Sequence, residues 1–424
     1  MARTSRFERS VVDVSDLIHW QGHLSGIQRV VAEMAYRYEK ENAVFCYYEE
    51  ETRQFYALAS FIEHMKQREE TRMPSSSSVV IENPTRKEVI LQLKRIGRSL
   101  APPVALKVAR RIRREAVSIN REPEDTREPF LFKQNDTLLV FGGHWDKPHY
   151  TAVLGGIKRE HGVRIAHVVY DLIPVYDRAH VAEEEHVRFP LYIKSISELS
   201  DVVYVISEAT KRDYQRFLRE NSIQSHPKIC KIVLGENFSH KNSVKPKNFK
   251  ESSYILAVGT FEVRKNYGLL YSTYKRAKEL GVSLPKLVIV GRRGWLSGDI
   301  YYQMVHDSSV ASDIIFMHDV DDHELSWLYE NCLFTTYPSF YEGWGLPVAE
   351  AAYYGKTCAA SSSSSIPEVV GACALYFSPY SVDECLTKLQ ELLNEKTRVE
   401  LESKVIKRQP NDWDATFLQV KSAL

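Results

Sequence analysis

Short apolar runs alternate along the chain with longer segments in which apolar residues recur at helical spacing. In the first half, the runs with the composition of strands lie at 11–14, 44–48, 137–141, 163–170 and 202–206. A second series lies at 254–259, 286–291, 314–317, 333–337 and 357–360. This alternation is typical of βαβ units and parallel sheets. The pattern therefore predicts an α/β chain with two Rossmann-like, doubly wound sheets.

A polar segment separates the two series. Residues 236–252 are rich in Lys and Asn and lack apolar periodicity, as linkers between domains do. The length of 424 residues also exceeds what a single hydrophobic core usually supports. We therefore predict an N-terminal domain at 1–235, a linker at 236–252 and a C-terminal domain at 253–424.

One basic region, at about 65–129, fits neither series and is interpreted as an insertion in the first domain. Between Arg86 and Arg114 the chain has ten Lys or Arg residues, one acidic residue and regularly spaced apolar residues. Such an amphipathic pattern favours either docking of 86–114 on an anionic membrane surface or solvated helices packed on the domain. The sequence leaves both interpretations open.

Composition mainly argues against certain classes of function, namely nucleic-acid binding, metal binding through cysteines and a position across a membrane. A net charge of +1 gives no support for nucleic-acid binding, which usually needs a clear basic excess. The six cysteines are scattered, without a CxxC pair or metal-ligand spacing, so we expect a reduced cytoplasmic protein and no metal site. No stretch approaches the roughly 18 to 20 apolar residues that span a bilayer. Any contact with a membrane is therefore expected at its surface.

The segment YPSFYEGWGLPVAEA, at 337–351, follows an apolar strand and enters a predicted helix. Gly343 and Gly345 permit a tight turn and a close approach of the backbone to a ligand. The N-terminus of the helix offers unpaired N–H groups, which in a doubly wound sheet typically bind a diphosphate. Glu342 and Glu350 flank that position, where sugar or ribose hydroxyls are suitable donors to carboxylates.

This spacing resembles the Glu-x7-Glu signature of family 4 glycosyltransferases, which have the GT-B fold. The resemblance implies that Glu342 contacts the transferred sugar and that Glu350 holds the donor ribose. The stretch GTFEVRKN, at 259–266, is similar to the family segment that contacts the donor phosphates. Arg264 and Lys265 would there bind the diphosphate and stabilise the charge that develops on it. Taken alone, an Arg-Lys pair is more often a solvated surface pair.

The remaining matches to the family are weaker. Gly26 falls where a Gly-rich loop faces the donor diphosphate, and Asp171 is expected to hydrogen-bond the sugar or the acceptor. Tyr170 departs from the family, in which a His at this position often contacts the transferred sugar. The donor site implied by these matches also includes Gly259, Val320, Gly343, Gly345 and Leu346. Candidate acceptor contacts are Arg29, His144, Trp145 and Tyr170, although a Trp at a strand end is as often simply buried.

The resemblance implies a retaining hexosyltransferase of bacterial lipopolysaccharide, capsule or exopolysaccharide synthesis. Its expected partners are a nucleotide diphosphate sugar, with GDP-mannose preferred over dTDP-rhamnose and UDP-sugars, and a glycan or polyprenyl-diphosphate-linked acceptor at the inner membrane. Glu342, Asp171, Arg264 and Lys265 are the expected catalytic residues, with no cofactor and no metal. Two alternatives stay open: a nucleotide-sugar epimerase of the same fold and a non-catalytic scaffold of a polysaccharide assembly complex.

Overall fold

Two β-sheets flanked by helices form the framework of the chain. The computed structural model describes residues 9–20, 24, 26–71, 127–224, 227–237 and 243–424. The strands of the first sheet are β1 (Ser10–Asp13), β2 (Val44–Glu49), β3 (Gln54–Leu58), β4 (Thr137–Val140), β5 (Arg164–Val169), β6 (Val202–Val205) and β7 (Lys228–Lys231). Those of the second sheet are β8 (Tyr254–Val258), β9 (Lys286–Val290), β10 (Ile314–Met317), β11 (Phe334–Tyr337), β12 (Cys358–Ser361) and β13 (Leu375–Phe377).

Helices connect the strands and cover both faces of the sheets. In the first half they are α1 (Ser15–Ile18), α2 (Ile27–Lys40), α3 (Phe61–Thr71), α4 (Tyr150–His161), α5 (Ile173–Tyr176), α6 (Glu183–Leu199) and α7 (Glu208–Glu220). In the second half they are α8 (Tyr267–Glu279), α9 (Gly298–His306), α10 (Asp322–Asn331), α11 (Leu346–Tyr353), α12 (Ile366–Val370), α13 (Val382–Leu393), α14 (Glu395–Lys407) and α15 (Trp413–Ala423).

Both sheets are doubly wound, since in each the first strand lies in the interior and later strands are added on both sides. The strand orders are β3-β2-β1-β4-β5-β6-β7 and β10-β9-β8-β11-β12-β13. All pairs are parallel except β2 with β3, in which Phe45 lies opposite Leu58. The strand order reverses at β1/β4 and at β8/β11, and ligands of such sheets bind at the carboxyl ends of the strands beside these reversals. The prediction of two doubly wound sheets is confirmed.

Three strands, β3, β7 and β13, are not among those predicted from the sequence. The first two are the edge strands of their sheet, and β7 carries Lys228 and Lys231 at its ends. β13 has only three residues, too few to show a hydrophobic period. Edge strands are short and polar because only one side of each is paired, so their sequence signal is weak.

The C-terminal helix α15 packs on the first sheet's layer, although the sequence analysis placed 413–424 with the C-terminal domain. The rings of Phe417 and Tyr38 lie 4.9 Å apart, and the Tyr204 hydroxyl donates to the Val420 carbonyl at 2.8 Å. The chain therefore crosses between the two sheets twice, once after β7 and once before α15.

The two halves are joined by further contacts between loops and helices. The Glu368 carboxylate, which lies on α12, accepts the backbone N–H groups of Glu208 and Ala209 at 2.7 and 2.8 Å. These are the first N–H groups of α7, so one half of the chain caps a helix of the other.

The predicted insertion lies largely outside the described residues, since 72–126 are not among them. Met65, at its predicted start, lies on α3 and is buried in the core of the first half, because it shares one face of this helix with Phe61. Within the described residues, no helix combines the length and apolar character needed to cross a bilayer. The prediction that 86–114 docks on a membrane stays a prediction.

Candidate active site

A cavity of about 1140 Å³ lies between the carboxyl ends of the strands of the two sheets. Its volume is somewhat larger than the range of about 300–1,000 Å³ that is typical of ligand clefts. The predicted site residues that line it are Gly26, Arg29, Tyr170, Asp171, Gly259, Arg264, Lys265, Val320, Glu342, Gly343, Gly345, Leu346 and Glu350. The fold thus brings residues from separate segments of the chain to one cleft.

Glu342 is held between two cations in this cavity. Lys265 Nζ lies 2.7 Å from Glu342 Oε1, and Arg264 Nη1 lies 2.7 Å from Glu342 Oε2. The Tyr337 hydroxyl, at the end of β11, also donates to Oε1 at 2.9 Å. Arg264 and Lys265 belong to a short 3-10 turn that follows β8, and Glu342 lies in the loop between β11 and α11. The β8/β11 pairing therefore brings the three charges together.

The charges of the cluster are set by burial and by the close contacts. Burial alone would raise the pKa of Glu342, but Arg264 and Lys265 lower it to about 2. Burial lowers the pKa of Lys265 against the opposing effect of Glu342. For Arg264 the effect of burial is outweighed by Glu342 and Glu262, which raise its pKa. Glu342 is therefore a carboxylate at neutral pH.

Arg264 and Lys265 each have more N–H donors than their contacts within the protein use. Among the described residues, Arg264 contacts Tyr341 O, Glu342 and Glu262, and Lys265 contacts the Tyr337 hydroxyl and Glu342. A guanidinium has five N–H donors and an ammonium three. At one N–H for each contact, about two donors of Arg264 and one of Lys265 stay available to a bound anion.

Glu262 is a member of this cluster that sequence analysis did not select. It is 3% exposed, and Arg264 Nη2 lies 2.5 Å from its Oε1. Burial raises the pKa of Glu262, while Arg264 and Lys265 act in the opposite direction. Glu262 lies two residues before Arg264, in the segment that resembles the family. This position could have identified it as a site residue from the sequence.

Glu350 connects the two halves of the chain. It lies in α11 and its Oε1 accepts Arg29 Nη1 from α2 at 3.1 Å, while its Oε2 accepts the Tyr329 hydroxyl at 2.7 Å. Burial raises the pKa of Glu350, and Arg29 opposes this effect. Arg29, predicted to contact the acceptor or a phosphate, thus contacts Glu350 at the edge of the same cavity.

The two glycines before α11 have different roles. Gly345 has φ 109° at the N-cap, a backbone conformation that favours glycine. A Cβ on Gly343 would lie 2.2 Å from the Tyr170 carbonyl oxygen. The close approach predicted for Gly343 is therefore to the backbone of the other half of the chain, and it fixes the loop that carries Glu342 against Asp171.

His144 does not line the cavity, which corrects its predicted place in the acceptor wall. It is fully buried, with Nε2 3.1 Å from Asp13 Oδ2 and Nδ1 3.3 Å from Asp16 Oδ1. Burial alone would lower its pKa, but these two carboxylates raise the pKa of His144 to about 9. Asp16 Oδ2 also accepts the Gly143 N–H at 2.8 Å. Charge pairing inside the domain explains His144 without a ligand.

Trp145 lines a second cavity, of about 270 Å³, that adjoins the first. Tyr170 and Asp171 line both cavities. The Tyr170 hydroxyl donates to the Phe141 carbonyl at 2.6 Å, and Asp171 Oδ1 accepts the Ile173 N–H at 3.0 Å. Other residues of its lining were not predicted, among them Glu185, Phe189 and Trp295, because they belong to helix and loop segments without a distinctive pattern.

Known proteins share parts of this sequence. Residues 239–412 match the family model described as glycosyl transferases group 1. The O-antigen chain mannosyltransferase B of Escherichia coli is 39% identical over 131 residues, which are 31% of this chain and 34% of that protein. The O-antigen chain mannosyltransferase RfbU of Salmonella typhimurium is 28% identical over 213 residues, 50% of this chain and 56% of that protein. The chain thus spans between a third and somewhat over half of the length of these relatives.

Solved structures share the whole fold. HepE of Anabaena, in complex with UDP and glucose, has a TM-score of 0.61 at 12% identity, covering 98% of this chain and 99% of that chain. Sucrose-phosphate synthase from Thermosynechococcus elongatus has a TM-score of 0.59 at 15% identity, covering 98% of both chains. The two facing sheets and these similarities show that the chain has the GT-B fold, and its residues 239–412 match the glycosyl transferases group 1 model.

Proposed function

We propose that this chain is a retaining glycosyltransferase of bacterial surface-polysaccharide synthesis. It transfers a hexosyl group, mannosyl from GDP-mannose, to a hydroxyl of a glycan or lipid-linked glycan. The observation that carries the proposal is the Glu342 carboxylate held between Arg264 and Lys265 in the cavity between the sheets. The names of the relatives, which are O-antigen mannosyltransferases, support the choice of sugar and pathway.

The available N–H groups of Arg264 and Lys265 bind the donor diphosphate, opposite Gly26 across the cavity. As the bond between the sugar C1 and the phosphate oxygen breaks, negative charge grows on the phosphate and positive charge grows on the sugar. Cations already in place stabilise the first charge without reorganisation, and the Glu342 carboxylate stabilises the second. The acceptor oxygen bonds to C1, and its proton passes to the leaving phosphate oxygen.

Both oxygens of Glu342 are engaged, which favours an electrostatic role over attack on the sugar. Oε1 accepts from Lys265 and Tyr337, and Oε2 faces Arg264. A carboxylate with a pKa lowered to about 2 is also a weak nucleophile. Asp171, whose pKa burial raises, lies where the two cavities meet and contacts the sugar or the acceptor hydroxyl.

The proposal includes catalysis without a metal, because Arg264 and Lys265 supply the positive charge at the diphosphate. Among the described residues, no cluster of three or more His, Cys, Asp or Glu is arranged to hold a metal ion. Donor turnover is expected to be equal with and without EDTA. A loss of turnover in EDTA that Mg²⁺ or Mn²⁺ restores would contradict this part of the proposal.

The test is a panel of GDP-, UDP- and dTDP-sugars, measured for binding and for slow hydrolysis in the absence of acceptor. GDP-mannose is expected to bind and to release mannose, and NMR of the transfer product is expected to show the anomeric configuration of the donor. Binding of none of the donors would contradict the catalytic proposal and favour the scaffold. Conversion of a free donor to its epimer would favour an epimerase.

A further inference from the structure

The geometry points to the second cavity as the site of the acceptor's terminal sugar, and to a neutral sugar rather than a phosphate or a uronic acid. This inference rests on the proposed function, since it assigns the acceptor end of the same site. Three properties of the cavity carry it: its junction with the first cavity, its aromatic wall and the sign of its charges.

The two cavities meet at a small set of residues. The residues that line both are Ile27, Tyr170, Asp171, Arg264 and Trp295. Arg264 also holds Glu342, so the junction lies beside the point where the donor bond would break. A group bound in the second cavity can therefore present a hydroxyl to the transferred sugar. Val320 lines only the first cavity, and Trp145 lines only the second.

The wall of the second cavity suits one sugar ring. Its volume of about 270 Å³ is a fraction of that of the first cavity, which leaves room for a single ring and little more. Trp145 packs edge to face with Phe189 at 5.4 Å and with Tyr192 at 6.5 Å between ring centroids. Aromatic rings of this kind provide apolar surface with polar rims, which fits the C–H face of a pyranose.

The charges of the cavity exclude an anionic occupant. Asp171 and Glu185 both line it, and among the described residues the other charged residue of its lining is Arg264. Within the described part of the chain, the Glu185 side chain has no hydrogen bond or ion pair, and Asp171 Oδ2 accepts no hydrogen bond. Such oxygens can accept from sugar hydroxyls but repel a phosphate or a uronate.

The positive charge of Arg264 does not make the second cavity a site for an anion. Of the residues that the structure describes, it is the cation that lines the second cavity, and its guanidinium already faces Glu342 and Glu262. Its available N–H groups are assigned to the donor diphosphate. The side of the junction that faces Trp145 therefore presents carboxylates, and the acceptor that fits it ends in a neutral, hydroxyl-bearing sugar.

The first experiment compares methyl mannoside with its uronic acid, which differs only by a carboxylate at C6, and with undecaprenyl phosphate. Transfer from the donor found in the hydrolysis panel is measured for each. The neutral glycoside is expected to have a kcat/KM at least about tenfold above that of the uronic acid, as expected from like-charge repulsion. Equal use of both sugars, a preference for either anionic probe, or transfer to none of the three would overturn the inference.

The second experiment uses Glu185→Gln, with Glu183→Gln as its matched control on the exposed side of the same helix turn. Glu185→Gln is expected to raise the acceptor KM by about tenfold, the effect of weakening one hydrogen bond to a charged group. Glu183→Gln is expected to keep the KM of the wild type. GDP binding by both variants verifies that they are folded, and an unchanged KM in a folded Glu185→Gln would overturn the assignment.

These results separate the inference from the proposed function. If no donor binds and none is hydrolysed, the proposed function fails before the acceptor is tested. If the donor is hydrolysed but the acceptor results go against expectation, only the assignment of the second cavity fails.

Discussion

Lys265 Nζ lies 2.7 Å from Glu342 Oε1, and each residue is almost excluded from solvent. A residue from the 3-10 turn that follows β8 thus meets one from the loop after the neighbouring strand β11. The contact depends on the fold, because 77 residues separate the two positions in sequence. It leaves the ammonium with a donor for a phosphate and the carboxylate facing the same cavity.

Substitution Lys265→Met is expected to weaken GDP binding by at least about tenfold, because it removes a charge-assisted hydrogen bond of roughly 1.5–3 kcal/mol. Isothermal titration calorimetry measures the change. Lys396→Met, on an exposed position of α14, is the matched control and should bind GDP as the wild type does. An unchanged affinity in Lys265→Met would remove this residue from the donor site.

Glu342→Gln keeps the size of the side chain and removes its charge. We expect kcat to fall by about 10²–10³, the usual cost of losing one group that stabilises transition-state charge, while GDP still binds. Steady-state transfer and GDP titration measure the two effects separately. Glu395→Gln, on an exposed position of α14, should leave both unchanged. A variant that loses GDP binding and keeps kcat would assign Glu342 to the nucleotide instead.

Gly343→Ala tests the contact between the two halves of the chain. The added Cβ would lie 2.2 Å from the Tyr170 carbonyl oxygen, so the loop or the domain must move. A loss of about 1–3 kcal/mol in the free energy of unfolding is expected from such overpacking, together with a lower kcat. Urea unfolding measures the change in the free energy of unfolding. Gly156→Ala, in helix α4 with open space around its Cβ, should instead stabilise by up to about 1 kcal/mol.

His144→Gln tests the buried cluster of charges that His144 forms with Asp13 and Asp16. Its pKa is raised to about 9 from 6.5, so the folded chain binds this proton more tightly than the unfolded chain. The stabilisation is complete below pH 6.5 and is lost as pH rises through 9. Removing His144 should cost about 3–5 kcal/mol at pH 6, because Asp13 would stay buried without its cation.

The measurement for His144 is the urea midpoint at several pH values. The difference between wild type and His144→Gln is expected to shrink between pH 6.5 and 9.5, and His306→Gln, which changes an exposed residue of α9, should show no such trend. A difference that grows with pH would mean that His144 is neutral in the folded chain.

The sequence predicts the interior strands well because parallel strands buried on both faces are nearly continuous apolar runs. The run 254–259 exceeds β8 by one residue, and 202–206 exceeds β6 by one residue. The donor-side residues Arg264, Lys265 and Glu342 are also predictable, since each follows the end of such a strand. Their position in the cavity follows from the strand order rather than from any single motif.

Other features of the fold and of the site cannot be predicted from the neighbouring residues in the sequence. His144 follows a strand end like the other candidates, and only the fold shows that Asp13 and Asp16 surround it. Glu185 and Phe189 reach the second cavity through the packing of α6, which depends on contacts distant in sequence. The docking of α15 on the first sheet is equally invisible, because an amphipathic helix does not specify which sheet it covers.

The two crossings of the chain between the sheets lie side by side and are bonded to each other. Glu236 N–H donates to the Asn411 carbonyl at 3.0 Å, Asn411 Nδ2 donates to the Val233 carbonyl at 2.7 Å, and Arg408 pairs with Glu236. Because these bonds tie the two crossings to each other, they act as one joint made of two chain segments, and neither segment can shift without the other.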